Sequence, residues 1–114
     1  MATAQTQAWR LERLAARAAG RHGDSRCEWS HLERAHIISQ PMAGRHVRTH
    51  VAMMLFALRH RDAHQVGGQL LRVVVAGPGS WTQRYPAGNT GGSNVSAFEA
   101  MPIPDDLRPV CSAS

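Results

Sequence analysis

Four of the chain's seven histidines fall within residues 28–50, in the stretch EWSHLERAHIISQPMAGRHVRTH. Its first half contains two Glu-x-x-His units in succession, Glu28 with His31 and Glu33 with His36. A carboxylate and an imidazole three residues apart lie on neighbouring ridges of a helix. Helical carboxylate proteins use this spacing to share a metal ion. These four side chains are therefore candidate metal ligands.

The second half of the stretch contains His46 and His50, which lie one helical turn apart. Two imidazoles at this spacing can chelate a single zinc or copper ion. Pro41 predicts a turn between the two halves, since proline disfavours helix at the residue before it. His36 and His46 are equally far from Pro41, so antiparallel helices would place them at similar height. The predicted ligands are His31, Glu33, His36, His46 and His50, with Glu28 in support.

A histidine site has a predictable pH dependence and a structural alternative. Imidazole ligands favour zinc or copper over magnesium or calcium. Because imidazole must be neutral to bind a metal, affinity is expected to fall below about pH 6. In the alternative, His36 and His50 are core-edge residues whose rings bond a carbonyl or a carboxylate. Glu33 would then form an ion pair with Arg34 or Arg48.

Apolar periodicity predicts four helices, over about 3–19, 25–39, 42–60 and 62–76. Asp24 or Ser25 is a suitable N-cap for the second helix, and Asp62 is one for the fourth. The run Gly77-Pro78-Gly79 is expected to end the fourth. The predicted inward-facing apolar residues are Leu11 and Leu14 on the first helix, Val47, Val51, Met54, Leu55 and Leu58 on the third, and Val66, Leu70 and Val73 on the fourth.

From residue 77 onward the chain is rich in glycine, proline, asparagine and serine, and no helical or strand period continues. We expect an ordered irregular segment over 77–107 that covers the helices, followed by a loose tail over 108–114. The whole chain, residues 1–114, is expected to form one domain. The predicted fold is all-α, with four helices in two antiparallel hairpins, arranged like tetratricopeptide (TPR) repeats or as a four-helix bundle.

The composition restricts the location and the partners. The net charge is +5, and all thirteen basic residues are arginines. They are spread along the chain rather than clustered with aromatics, which argues against nucleic-acid binding. No apolar run reaches the roughly 18 residues of a membrane span. The first residues lack the apolar core of a secretory signal, so a cytoplasmic location is expected.

Several segments together resemble a family of small bacterial helical proteins known only as a domain of unknown function. These segments are HLERAHIISQ at 31–40, RHVRTH at 45–50, GQLLR at 68–72 and PAGNTGGSNVSAFEAMPIPDDL at 86–107. Members are often associated with metal-resistance genes, so the resemblance implies a role in metal handling. It also implies that the asparagine-glycine segment packs near the histidines, where Asn89 or Asn94 would orient a ring from the second coordination shell.

Three functions follow from these patterns. The first is a small metal-binding protein with a zinc or copper ion on the second and third helices. The alternative is a TPR-like interaction module or homodimer with structural histidines and a protein partner. The third is a small enzyme that uses His36 or His50 as a general base.

Overall fold

Four long α-helices make up most of the fold. The computed structural model describes residues 3–93, 95, 96 and 99–111, and these contain no strand. The helices are α1 (Ala4–Arg21), α2 (Ser25–Ser39), α3 (Ala43–Arg59) and α4 (Ala63–Trp81), and a short α5 (Arg108–Cys111) follows. The predicted all-α class is confirmed. No helix in the described part of the chain combines the length and apolar character needed to cross a membrane.

Short capped turns join the helices. Side-chain oxygens of Thr3, Asp24 and Asp62 accept backbone N–H bonds and cap α1, α2 and α4. Such caps satisfy donors that have no partner inside the helix. The turn through Gln40 and Pro41 is closed by the Met42 amide, which donates to the Ser39 carbonyl at 2.8 Å. Because α3 begins directly after this turn, the last turn of α2 and the first turn of α3 are close neighbours.

The helices pack in chain order. α1 lies against α2, α3 lies against α4, and α2 also contacts α3. One apolar cluster forms around Trp9, Ile38 and Leu107, and a second joins Ala16, Leu32 and Met53. The Trp9 indole N–H reaches across to the Thr49 hydroxyl at 2.9 Å, which ties α1 to α3. The buried apolar residues therefore form two separate small clusters rather than one continuous core.

The buried faces of α1, α3 and α4 differ from the predicted ones. Several leucines expected inside are more than half exposed, namely Leu11, Leu14, Leu55, Leu58 and Leu70. The residues buried in their place include Gln5, Thr49, His46, His50, Gln69 and Arg72. Buried polar groups are stable only when they are hydrogen-bonded. These polar residues can face the interior because their side chains form hydrogen bonds there.

Helix α4 extends past Gly77-Pro78-Gly79 to Trp81, so the predicted end at residue 76 was wrong. Proline lacks the N–H for one helical hydrogen bond and its ring crowds the carbonyl four residues earlier, but it does not remove the hydrogen bonds that follow it. The Pro78 carbonyl still accepts from the Thr82 amide at 3.0 Å, and the Gly79 carbonyl accepts from the Arg84 amide at 2.8 Å. The extra turn places Ser80 in the interior, fully buried.

The segment after α4 is irregular and crosses the ends of α2 and α4. Gly88 has a φ of +78°, and a side chain there would collide with the Met101 carbonyl. Gly68 on α4 is approached closely by Ser93. Residues 108–111, expected to belong to a loose tail, form α5, and residues 112–114 lie outside the described part of the chain.

Candidate metal centre

Three histidine rings meet at the junction of α2 and α3. His36 comes from the last turn of α2, and His46 and His50 come from the first two turns of α3. The Nε2 atom of His36 lies 3.0 Å from that of His46 and 3.0 Å from that of His50. The third side of the triangle, between His46 and His50, is 3.2 Å. All three residues are at most 6% exposed.

The other ring nitrogen of each histidine, Nδ1, bonds to an oxygen. His36 Nδ1 lies 2.6 Å from the backbone carbonyl of Asn89. His50 Nδ1 lies 2.6 Å from Oε1 of Gln69, and His46 Nδ1 lies 2.7 Å from the Ser80 hydroxyl. These three contacts fix the orientation of each ring, with Nε2 pointing to the centre of the cluster.

The partners also fix where each ring proton lies. A backbone carbonyl such as that of Asn89 can only accept. The Gln69 amide nitrogen donates to the Gly91 carbonyl at 2.7 Å, which leaves its oxygen to accept from His50. Ser80 uses its single hydroxyl proton in a short bond to the Gln40 carbonyl, so it too accepts from the ring.

Each neutral imidazole has one N–H, and in all three rings these contacts place it on Nδ1. The three Nε2 atoms of His36, His46 and His50 therefore point lone pairs at one another from 3.0–3.2 Å, without a proton to share. Facing lone pairs repel each other. The arrangement is complementary to a cation placed between them.

Burial keeps the three rings neutral. Desolvation, with repulsion from the neighbouring rings, lowers the pKa of His36 well below its usual value. Desolvation and the proximity of His50 lower the pKa of His46 to about 3. Desolvation likewise lowers the pKa of His50 to about 4, against the opposing effect of the hydrogen bond that the ring donates to Gln69. Neutral imidazole is the form that binds metals.

The triangle has nearly the size of a tetrahedral metal site. Zinc binds imidazole nitrogen at about 2.0–2.1 Å, so tetrahedral geometry holds its ligand atoms about 3.3 Å apart. The observed spacing of 3.0–3.2 Å needs to open by only a few tenths of an ångström. Within the described part of the chain the group of potential ligands contains these three histidines and no carboxylate or thiolate. The three histidines could hold a metal ion.

The segment after α4 closes the site against α2. Gly91 has a φ of +87°, and a Cβ atom there would lie 2.6 Å from the His36 ring. Gln40 holds the same segment, since its amide donates to the Pro86 carbonyl at 2.8 Å and accepts from the Gly88 N–H at 3.1 Å. Both glycines lie within the PAGNTGG run, so that run forms one wall of the site.

The other predicted ligands lie elsewhere. His31 Nδ1 bonds to Glu12 of α1 at 2.6 Å, and Glu28 forms an ion pair with Arg59 at 2.6 Å. Glu33 bonds to Thr90 and Trp29, and burial raises the pKa of its carboxyl group. None of the three belongs to the histidine group. His31 and His36 are five positions apart, which puts them on different faces of α2.

The two asparagines predicted to orient a histidine ring have different outcomes. Asn89 does contact His36, but through its backbone carbonyl. Its side chain instead donates to the Ser96 and Glu99 carbonyls at 2.8 and 2.7 Å and accepts from the Gly91 N–H at 2.8 Å. These bonds shape the loop that carries the carbonyl. Asn94 lies outside the described residues.

Sequence reasoning missed two residues that orient the histidines, Gln69 and Ser80. Both are fully buried on α4. Gln69 lies three residues after Val66, and this helical spacing with a predicted inward residue was the available signal. Ser80 gave no signal, because the helix was expected to end before it.

Comparison with known families identifies the chain as a member of a family of uncharacterised proteins. The model of the family described as "protein of unknown function (DUF3703)" matches residues 3–111, so the chain belongs to that family. Neither the curated proteins nor the solved structures contain a match. The family assignment leaves the function to be inferred from the site itself.

Proposed function

We propose that this DUF3703 protein binds a zinc or copper ion through Nε2 of His36, His46 and His50. The observation that carries the proposal is the convergence of three Nε2 lone pairs at 3.0–3.2 Å, with every Nδ1 proton already used by an acceptor. In the metal-free protein, three lone pairs that face one another contribute no stabilisation to the fold. A bound cation turns the repulsion into three coordination bonds.

The nature of the donors favours a borderline divalent ion. Three imidazoles suit zinc, copper, iron or nickel, whereas magnesium and calcium prefer oxygen ligands. The near-tetrahedral spacing and the absence of a sulfur donor in the described group favour zinc over copper(I). The bonds from Nδ1 to Asn89, Gln69 and Ser80 provide the outer shell that metal-bound histidines usually have.

Metal content and titration test the proposal. Untagged protein purified without chelator is analysed by elemental mass spectrometry and then titrated with zinc and copper(I). We expect close to one equivalent of one metal. His50→Gln and His36→Gln should abolish stoichiometric binding, whereas His22→Gln, at an exposed position, should leave it unchanged.

Two results would refute the metal site. One is the absence of stoichiometric binding by folded, unmodified protein. The other is equal binding by the His22→Gln and His50→Gln variants, since this would place the metal outside the cluster. Circular dichroism of each variant separates loss of the ligand from loss of the fold.

A TPR-like interaction module, with α1–α2 and α3–α4 as hairpins, is a second candidate function. An open groove of about 620 Å³ is lined by Trp9, Leu55 and arginines from α1 and α3. Leu55, which lines the groove, is 52% exposed, and Leu11, Leu14 and Leu58 on the same two helices are exposed as well. Contiguous exposed apolar surface often marks a protein interface. Light scattering tests whether the protein is a homodimer. The unmodified protein should then have twice the monomer mass, and the Leu55→Glu variant should have the monomer mass.

A further inference from the structure

The histidine cluster opens into a cavity of about 540 Å³. All three rings line it, so a tetrahedral ion bound by them would have its fourth position available to a molecule in this space. Val74, Val75 and Pro86 contribute an apolar part of the wall. A metal site with three protein ligands and one open position is the arrangement that accepts exogenous ligands.

Charge decides which ligand fits that position. Arg72 also lines the cavity and is 8% exposed. Its guanidinium donates to two backbone carbonyls, Gly68 at 3.1 Å and Val95 at 2.9 Å. Among the described residues, Arg72 takes part in no ion pair with a carboxylate.

A divalent ion on three neutral imidazoles would add two positive charges beside that of Arg72. Buried charge is costly unless it is paired. Since the histidine group contains no carboxylate or thiolate among the described residues, the compensating charge has to come from outside the chain. The apolar wall favours an anion with a small hydrocarbon part over a fully hydrated one.

We infer that the cavity beside His36, His46 and His50 binds a small organic anion, a short-chain carboxylate in its simplest form. The carboxylate oxygen takes the fourth position of the metal, and the negative charge of the carboxylate offsets the positive charges of the metal and Arg72. The hydrocarbon part contacts Val74 and Val75. This inference rests on the proposed metal site, because the metal provides one of the two attachment points.

Cobalt(II)-loaded protein at pH 7.5 provides the test, since the visible spectrum of cobalt reports its coordination. Acetate and butyrate are titrated separately, and the change in absorption is followed. Butyrate has two more CH₂ groups, and full burial of each contributes about 0.8 kcal/mol. Because Val74 and Val75 are 67% and 45% exposed, about half of this is gained, so butyrate should bind about fourfold more tightly than acetate. Equal affinity for the two would overturn the organic class of ligand.

Substitution of Arg72 distinguishes its charge from a merely structural role. Arg72→Gln should weaken butyrate about tenfold, because a neighbouring charge shifts ion binding by this order. It should leave cobalt affinity equal or tighter, since it removes a repelling cation. Arg72→Lys, which keeps the charge, should retain most of the butyrate affinity. Weakening of cobalt and butyrate together in Arg72→Gln would contradict the role given to the charge.

The two proposals fail in different ways. Absence of cobalt and zinc binding would refute the metal site. Stoichiometric cobalt with a spectrum that neither carboxylate changes would leave the metal site standing and overturn the anion site. The comparison of acetate with butyrate uses the unmodified protein, so it remains decisive even if the Arg72 variants do not fold.

Discussion

Acid should unfold the metal-free protein through the three buried histidines. In the unfolded chain each ring takes up a proton near pH 6.5, whereas the folded pKa of His46 is about 3 and that of His50 about 4. The pKa of His36 is lowered in the same direction. A group with a depressed folded pKa lets the unfolded state bind more protons as pH falls. The stability is therefore complete above pH 6.5 and decreases below it.

The size of the loss follows from the unfolded pKa. Between pH 7.5 and 5.5, one histidine that stays neutral in the fold and titrates near 6.5 when unfolded contributes about 1.4 kcal/mol. Three such residues contribute about 4 kcal/mol, a large part of the 5–15 kcal/mol that typically stabilises a domain. The result hardly depends on the folded values of about 3 and 4, because both lie well below pH 5.5.

Urea unfolding of chelator-treated protein at pH 7.5, 6.5 and 5.5 measures this loss. The His50→Gln variant should show a pH dependence smaller by about a third, and His22→Gln should keep all of it. Unmodified protein whose unfolding free energy changes by less than about 1 kcal/mol over this range would refute the reasoning. It would mean that the rings are not held neutral by the fold.

These pKa values also move the expected pH window of metal binding. The sequence predicted that affinity falls below about pH 6, as for ordinary histidines. In the folded protein the His46 and His50 ligands stay neutral down to about pH 4. Between these limits acid acts on metal binding through unfolding rather than through the ligands themselves. At a fixed excess of metal, the unfolding midpoint should then rise by a similar amount at pH 7.5 and at pH 5.5, because the folded protein binds the ion equally well at both.

Two further predictions concern the surroundings of the rings. Gln69→Leu removes the acceptor for His50 Nδ1 and should weaken zinc binding about 10–100-fold by titration, while an unchanged affinity would show that Gln69 does not orient the ring. Gly91→Ala places a methyl group 2.6 Å from the His36 ring at a positive φ and should lower stability by at least about 1–3 kcal/mol in urea unfolding. Its control is Gly67→Ala, whose new Cβ meets nothing within 4 Å in α4 and should stabilise by about 0.5–1 kcal/mol. A stabilising Gly91→Ala would contradict the close contact.

The convergence of the histidines was predictable because it follows from local geometry. The turn at Pro41 lies midway between His36 and His46, and His50 follows one helical turn later. Residues placed in this way lie at similar height when two successive helices fold back on each other, and they meet if both face inward. The same reasoning included His31 and Glu33 because spacing in sequence gave candidates without deciding which face of α2 turns inward.

The buried faces and the outer shell could not be predicted in the same way. Apolar periodicity assigns leucines to the interior, but here Leu55 is 52% exposed and His50 is 2% exposed. A buried polar side chain depends on partners from distant parts of the chain, such as Gln69 for His50 or Asn89 for His36. Pairs between residues so far apart in sequence produce no periodic pattern within a single helix. Ser80 was not predicted for a different reason. The run Gly77-Pro78-Gly79 indicates a helix end, whereas α4 continues through it to Trp81.

The loop carrying Asn89 and Gly91 has a consequence for biosynthesis. During synthesis the N-terminal part of a chain emerges from the ribosome first, and elements made early begin to fold first. All three histidines emerge before α4, yet the carbonyl that orients His36 lies 53 residues after it. When α2 and α3 first leave the ribosome, the histidine site therefore still lacks the loop that orients His36. Under the proposed metal function, the complete site would form only after this loop has emerged and docked, so the ion would be bound by the folded chain rather than by the nascent helices.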